Sequence, residues 1–417
     1  METLEIEGGV PLHGCVTIHG AKNAALPACV ASLLTEEPIL LRRVPQLRDV
    51  SMILFTLDAM GKRAVRDDRG VIISSGGDLM GEANSYAVQQ MRASFLVLGP
   101  LVARLGHAVV PLPGGCRLGA RPVDLHLMAL RALGAEIEER DGVVRATAGR
   151  LHGARIELPL PSVGATEQVL MAATLAEGET ILSNASIEPE VLDLVALLRK
   201  MGAEIDVTDR EMRIQGRREL GGAEHHLIPD RHEAGTYLLA GAATGGRVTV
   251  ADADPCLLEA FLDALRETGA SVSVDADAIT AVAADRPRPL EVETAPHPGF
   301  STDLHPQFAA YLALVPGTSR IRETIFESRF AYIRSLCAMG ARIIRDGDTI
   351  SIDGVESLSG CPVNAPDIRA GAALVIAGLA ARGRTSVGRL VHIDRGYSDL
   401  AEKLRGLGAS IERRTES

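Results

Sequence analysis

Apolar and polar positions along the chain fall into one phrase that is written six times. It reads Leu130-Arg131-Ala132-Leu133-Gly134-Ala135-Glu136-Ile137 and returns as Leu198-Arg199-Lys200-Met201-Gly202-Ala203-Glu204-Ile205. Further copies begin at Leu57, Leu265, Leu336 and Leu404, so the leading leucines are separated by 73, 68, 67, 71 and 68 residues. An even period of this kind marks a repeat architecture. Within each copy the leucine closes the last turn of an amphipathic helix, the glycine caps it, and the apolar–polar alternation that follows enters a strand. Upstream lies a second, more apolar helix, as in Ala172-Ala173-Thr174-Leu175-Ala176-Glu177-Gly178, followed by the β-rich run from Glu179 to Leu182. Local pattern therefore predicts a unit of strand, helix, strand, helix, strand. At about 70 residues it is larger than a solenoid repeat and is a small α/β fold in itself.

Three copies precede residue 228 and three follow it, which predicts two lobes. The boundaries expected are 22–228 for the first lobe and 1–21 plus 229–417 for the second. The N-terminal strand around Leu4 returns to the second lobe, and the chain crosses near Gly20-Ala21-Lys22 and near Pro229. Two lobes joined by a double crossing suggest closure around a ligand.

Composition narrows the classes of partner. With 417 residues the chain is long enough for two or three domains. A net charge of -11, no Trp and only 3% aromatic residues exclude nucleic acid as a main partner. No apolar stretch reaches the length of a membrane span, and the first residues lack the basic and apolar regions of a signal peptide. The six cysteines are scattered without Cys-x-x-Cys spacing, and the histidines lack metal-ligand spacing, so neither a disulfide framework nor a metal is expected. These features point to the cytoplasm.

Against that background Cys116 stands out, in Pro113-Gly114-Gly115-Cys116-Arg117-Leu118-Gly119-Ala120-Arg121-Pro122. Glycines open the backbone around the thiol, and guanidinium groups close by favour thiolate and hold anions. Other segments carry candidate chemistry with an ordinary alternative beside each. Lys22 opens a helix and suits an anion there. Arg92 begins an apolar helical run and binds phosphate or faces solvent. Ser162-Val163-Gly164 is a small-residue turn that lets a ligand approach or simply caps a helix. Asp303 is a general base or, more simply, an N-cap. Asp367 with Arg369, and Asp394 with Arg395, read most simply as local ion pairs.

Taken together, GAKNAALP at 20–27, PGGCRLGARPVDLH at 113–126, SVGATE at 162–167, PGFSTDLHPQF at 298–308, APDIRA at 365–370 and HIDRGY at 392–397 resemble the UDP-N-acetylglucosamine 1-carboxyvinyltransferases, a branch of the enolpyruvyl transferases. The resemblance runs from about Leu4 to Arg413. It implies a two-lobed inside-out α/β barrel, six βαβαββ repeats arranged three per lobe around a pseudo-threefold axis. It implies transfer of the enolpyruvyl group of phosphoenolpyruvate to the 3-hydroxyl of UDP-N-acetylglucosamine, the first committed step of peptidoglycan precursor synthesis, with no metal or organic cofactor. By the same resemblance Cys116 is the proton donor and the target of fosfomycin. Lys22, Asn23, Arg121, Arg369 and Arg395 bind phosphoenolpyruvate, and Lys22 and Arg395 also serve catalysis. Asn23, Arg92, Arg121, Pro122, Val123, Asp124, Leu125, Ser162, Val163, Gly164 and Ile325 match the nucleotide-sugar site. Asp303 binds the sugar hydroxyl and acts as base, and Asp367 is a further active-site residue. Leu160 and Leu96 depart from the pattern, standing where some members carry a lysine and a tryptophan. Alternatives within the fold are transfer to another uridine nucleotide or to shikimate 3-phosphate, although the shikimate branch opens with Lys-Ser and a following Arg where this chain has Lys22-Asn23-Ala24. A non-catalytic binding paralogue is the alternative outside enzymes.

Overall fold

The computed structural model describes residues 2–83, 88, 91–113 and 123–415. These divide into two compact units, one built from residues 2–19 and 229–415, the other from 20–113 and 123–228. Each has its own hydrophobic core. Among the described residues no helix is long and apolar enough to cross a membrane.

Every repeat adds one strand to the pattern expected from local sequence. In the repeat around Leu198 the order is Arg155–Glu157, helix Val163–Ala173, Glu179–Ser183, helix Pro189–Lys200, Glu204–Thr208 and Glu211–Gln215. The last two strands form an antiparallel hairpin, and the second hairpin strand also pairs antiparallel with Glu179–Ser183. The turn between hairpin strands sets this extra strand. In the repeat around Leu130 it is Asp141-Gly142, with φ 54° and 74°, the two-residue chemistry that joins twisted antiparallel strands.

Each unit closes on itself through short parallel strands. Arg155–Glu157, which follows the hairpin of the Leu130 repeat and opens the Leu198 repeat, pairs parallel with Glu179–Ser183, and Ala223–His226, after the Leu198 hairpin, returns to pair parallel with Ile39–Arg42 of the first repeat. Among the described residues the third such link in this unit is the parallel bridge from Glu82 to Val109. In the other unit Glu291–Glu293 joins Thr318–Arg322, Pro362–Asn364 joins Arg384–Gly388, and His13–Thr17 joins Arg247–Ala251, all parallel. Three repeats that each lend a strand to the next form a cyclic, pseudo-threefold arrangement. The sixth repeat is split by the chain ends: Glu2–Glu7 supplies the hairpin partner of Ser410–Thr415.

The two helices of a repeat differ in kind. Helices such as Arg231–Ala243, His305–Leu312 and Ile368–Ala380 are buried along almost their whole length and pack on one another. A helix apolar on all sides belongs inside a core, which leaves the sheets outermost. The helices that lead into the six phrases keep a solvent-exposed side, as in Glu259–Glu267 with Phe261, Leu262, Ala264 and Leu265 inward.

All six phrase glycines have positive φ, between 95° and 99° at Gly61, Gly134, Gly202, Gly269, Gly340 and Gly408. At Gly202 a Cβ would meet nothing within 4 Å, so backbone conformation alone selects glycine there. Gly202→Ala is expected to lower unfolding free energy by about 1–2 kcal/mol without a steric clash. Urea denaturation checks this, and an unchanged midpoint would show that the turn relaxes without cost.

Candidate active site

In the unit holding residues 20–113 and 123–228, Lys22 is the first residue of helix Lys22–Ala31. Ala21 offers no side-chain cap, so the first-turn N–H groups depend on other partners. The ammonium of Lys22 lies 2.8 Å from Asp49 Oδ2, with both side chains under a tenth exposed. Asp49 sits in the first turn of helix Arg48–Asp58. Sequence reading passed over Asp49, because its partner is 27 positions away and nothing local marks the pairing. Asn23 follows Lys22 and is half-buried.

A second cluster of the same unit gathers three sequence-distant candidates. Arg92 opens the 3-10 turn Arg92–Val97, and Val123 precedes helix Asp124–Ala132, in which Asp124 is exposed and Leu125 half-buried. His126, one residue further, is buried edge-on against Phe95 at 5.6 Å. Burial first, then the Arg92 charge, pushes its imidazole down to about 4. His126 is thus neutral near pH 7. Ser162 caps helix Val163–Ala173, its Oγ accepting from Ala165 N at 3.4 Å, so the capping alternative holds for this residue. Gly164 has a definite reason to lack a side chain: a Cβ would lie 2.9 Å from His126 Cε1. The close approach at this turn is therefore made by the histidine ring, which sequence reading missed. Glu167 is buried, and burial together with nearby Glu190 raises its carboxyl well above the usual range. Leu160 is exposed on the surface before Ser162, while Leu96 is part of the core. Cys116, Arg121 and Pro122 lie outside the described residues.

In the unit of residues 2–19 and 229–415, Asp303 does not cap a helix. The residue preceding helix His305–Leu312 is Leu304, and no side chain caps that helix. Asp303 is instead clamped between two guanidinium groups. Arg329 Nη2 donates to its Oδ1 at 2.7 Å, and Arg369 donates to Oδ2 from Nη2 at 2.9 Å and from Nε at 3.1 Å. The arginine side chains are 1% and 6% exposed, whereas Asp303 keeps 23%, so one face of the carboxylate stays open. Desolvation alone would raise its pKa, but the charges of Arg369 and then Arg329 outweigh it and hold the carboxyl well below the usual aspartate range.

Neither C-terminal aspartate pairs with its neighbouring arginine in the way local sequence suggested. Asp367 caps helix Ile368–Ala380, accepting from the backbone N–H groups of Arg369 and Ala370 at 2.9 Å each. That cap fixes the backbone of Arg369 and frees its guanidinium for Asp303 and for Tyr397 Oη at 3.3 Å. Asp394 pairs with Arg413 through two contacts of 2.9 Å. Arg395, half-buried, closes the 3-10 turn Ile393–Arg395, and the following Gly396 rests on Ile368, where a Cβ would collide with Cγ2. The structure thus brings Asp303, Asp367 and Arg369 together, with the Arg395 turn seated on the same helix start. Ile325 lies in the turn after strand Thr318–Arg322, and its N–H donates to Glu323 Oε1 at 2.9 Å. Arg329, four residues on, is the largest contributor that sequence reading missed. A buried arginine has no distinctive local signature, and its aspartate lies 26 positions away.

Comparisons with known proteins bear on this geometry. A family model described as EPSP synthase (3-phosphoshikimate 1-carboxyvinyltransferase) matches residues 6–404. The UDP-N-acetylglucosamine 1-carboxyvinyltransferase 2 of Carboxydothermus hydrogenoformans is 49% identical over 416 residues, 99% of either chain. Among solved structures, the enolpyruvyl transferase NikO from Streptomyces tendae matches with a TM-score of 0.91 at 28% identity, over 100% of this chain and 99% of that one. An EPSP synthase from Acinetobacter baumannii matches with a TM-score of 0.77 at 19% identity over the full length of both, a likeness in fold.

Proposed function

The chain belongs to the EPSP synthase family of enolpyruvyl transferases and, within it, to the UDP-N-acetylglucosamine 1-carboxyvinyltransferases, and from that membership we infer that it joins phosphoenolpyruvate to the 3-hydroxyl of UDP-N-acetylglucosamine. Phosphate leaves, and the product is the enolpyruvyl ether that begins peptidoglycan precursor synthesis. The observation that carries this reading is full-length identity of 49% to an enzyme of that name. The chemistry is soluble-substrate chemistry, and the cysteine usage fits the cytoplasm.

The roles follow from what each step demands. Addition places a proton on the methylene carbon of phosphoenolpyruvate and the sugar oxygen on the adjacent carbon. Cys116 supplies that proton, so it must be a thiol when addition begins. An ordinary cysteine titrates near ~8.5 and meets that condition at neutral pH. Strong depression by Arg117 or Arg121 works against the role unless the substrate's own negative charge offsets it. Protonated at the methylene, the substrate gains oxocarbenium character, and the 3-hydroxyl attacks. Asp303 is a weak base between Arg329 and Arg369, so it cannot strip an alcohol in the resting complex. It accepts a hydrogen bond from the hydroxyl through its open face and takes the proton as the carbon–oxygen bond forms and the hydroxyl turns acidic. Elimination then returns one proton of the new methyl group to the Cys116 thiolate and expels phosphate, which carries away the proton taken up by Asp303. Lys22, Asn23, Arg121, Arg369 and Arg395 hold the carboxylate and phosphate of phosphoenolpyruvate, charge-assisted contacts suited to a polyanion. Arg92, Val123 to Leu125, Ser162 to Gly164 and Ile325 hold the nucleotide sugar, with Asp367 keeping Arg369 in place.

Phosphate release with UDP-N-acetylglucosamine, UMP or shikimate 3-phosphate as acceptor tests the reading. Turnover with the amino-sugar nucleotide is expected, and its absence would sink the assignment. Cys116→Ser is expected to lose turnover by about a hundredfold or more, because a serine hydroxyl is a far weaker acid, and to lose covalent labelling by fosfomycin. Labelling that persists would place the reactive thiol elsewhere. Cys29 is a poor competitor, since burial pushes its thiol up to about 12, and Asp254 raises that of Cys256.

A further inference from the structure

Behind Asp303 lies a buried carboxylate that none of the roles above uses. Glu323 follows strand Thr318–Arg322 and is 3% exposed. It accepts from the hydroxyl of Thr302 at 3.0 Å and 2.9 Å, from the N–H groups of Ile325 and Phe326 at 2.9 Å and 3.0 Å, and bonds His305 Nδ1 at 2.7 Å. Tyr332 Oη lies 2.7 Å from the other ring nitrogen of His305. With Tyr332 donating to Nε2, the proton of a neutral imidazole sits on Nδ1 and points at Glu323. Burial lowers the pKa of His305, which favours that neutral form.

Thr302 passes this order on. Its single hydroxyl proton goes to Glu323, so the oxygen presents a lone pair to Arg329, whose Nε donates to it at 3.1 Å. The same guanidinium holds Asp303 at 2.7 Å. The carboxylate therefore governs two neighbouring things at once: the side-chain direction of Arg329, and the backbone of the turn that carries Ile325.

We propose that Glu323 is a positioning residue for the acceptor half of the reaction, fixing Asp303 through Thr302 and Arg329 and fixing the Ile325 turn through its backbone amides. The proposal rests on the enolpyruvyl-transfer reading. A glutamine of the same shape cannot reproduce the arrangement. Its amide would either take the Oε1 place and face the N–H groups of Ile325 and Phe326, or take the Oε2 place and face the Nδ1 proton of His305, donor against donor in both cases. Both outcomes displace Asp303 or Ile325, while Arg369, the phosphoenolpyruvate contact that also holds Asp303, keeps its backbone anchored by the Asp367 cap.

Glu323→Gln is expected to lower kcat and raise KM for UDP-N-acetylglucosamine, each by about tenfold or more, while KM for phosphoenolpyruvate stays within about twofold. Calorimetry should show the same weakening of nucleotide-sugar binding without phosphoenolpyruvate. Thr302→Val, which keeps shape and removes the hydroxyl, should reproduce the loss in kcat, and Thr302→Ser should restore it. Loss of activity with both KM values unmoved, in proportion to folded protein, would overturn the proposal, as would equal rises in both KM values. Wild-type turnover is the control. If it is absent, the functional reading fails; if it is present and the variants match it, the Glu323 proposal fails by itself.

Discussion

Asp303→Asn should cost both turnover and stability, and the two losses have one cause. The carboxylate is the shared counter-ion of Arg329 and Arg369, two guanidinium groups with almost no access to water. An asparagine keeps the shape but removes the charge, leaving two like charges side by side in a desolvated place. Removing one partner of such an arrangement costs about 3–5 kcal/mol. Turnover should fall by a factor of about 10²–10⁴, because the hydroxyl loses its proton acceptor.

The pH dependence carries a sign that can be checked. The folded-state pKa of Asp303 lies below its unfolded value, so its stabilisation is complete above the ordinary aspartate range near 3.8. It is lost as pH falls from there through the folded value. Wild type should therefore lose stability more steeply on the acid side than Asp303→Asn. Thermal unfolding from neutral pH down to about pH 3, together with steady-state rates, measures both effects. A variant with wild-type turnover and parallel acid slopes would remove Asp303 from the chemistry and from the charge balance.

Lys22→Met should separate binding from stability. Lys22 stands at a helix start and 2.8 Å from Asp49, with both groups withdrawn from water. Losing the cation should raise KM for phosphoenolpyruvate more than about tenfold, since charge-assisted contacts to a polyanion are the strong ones. It also takes from Asp49 the ammonium 2.8 Å away, and removing one member of a buried pair is strongly destabilising, about 3 kcal/mol or more. The double variant Lys22→Met/Asp49→Asn should recover much of the stability, because a neutral pair no longer carries a buried charge, while KM stays high. Recovery of both together would mean that Lys22 acts only as a structural partner of Asp49.

The helix-ending glycines were legible in the chain because their cause is local. Each needs a positive φ that side chains resist, so the same residue recurs at every copy. Resemblance across six motifs then implied the family, the reaction and positions such as Asp303 and Arg369. What the local pattern could not contain was pairing across sequence distance. The hairpin strand completed by Glu2–Glu7 is more than 400 positions from its partner, and Ala223–His226 returns to Ile39–Arg42 across 184 positions.

The same distinction runs through the site. Ser162 reads correctly as a cap because its partner is three residues away. Asp303 reads locally as a cap too, and there the reading fails, since Arg329 and Arg369 reach it from 26 and 66 positions away. Sequence by itself determined the repeat, the capping glycines and the inventory of charged and nucleophilic groups, all set by backbone preference and by which residue types are present. Tertiary structure alone decided which charge meets which: Lys22 with Asp49, Arg92 beside His126, Asp303 between two arginines, Glu323 beneath Thr302. Electrostatic strength depends on distance and burial, and both are properties of the folded chain.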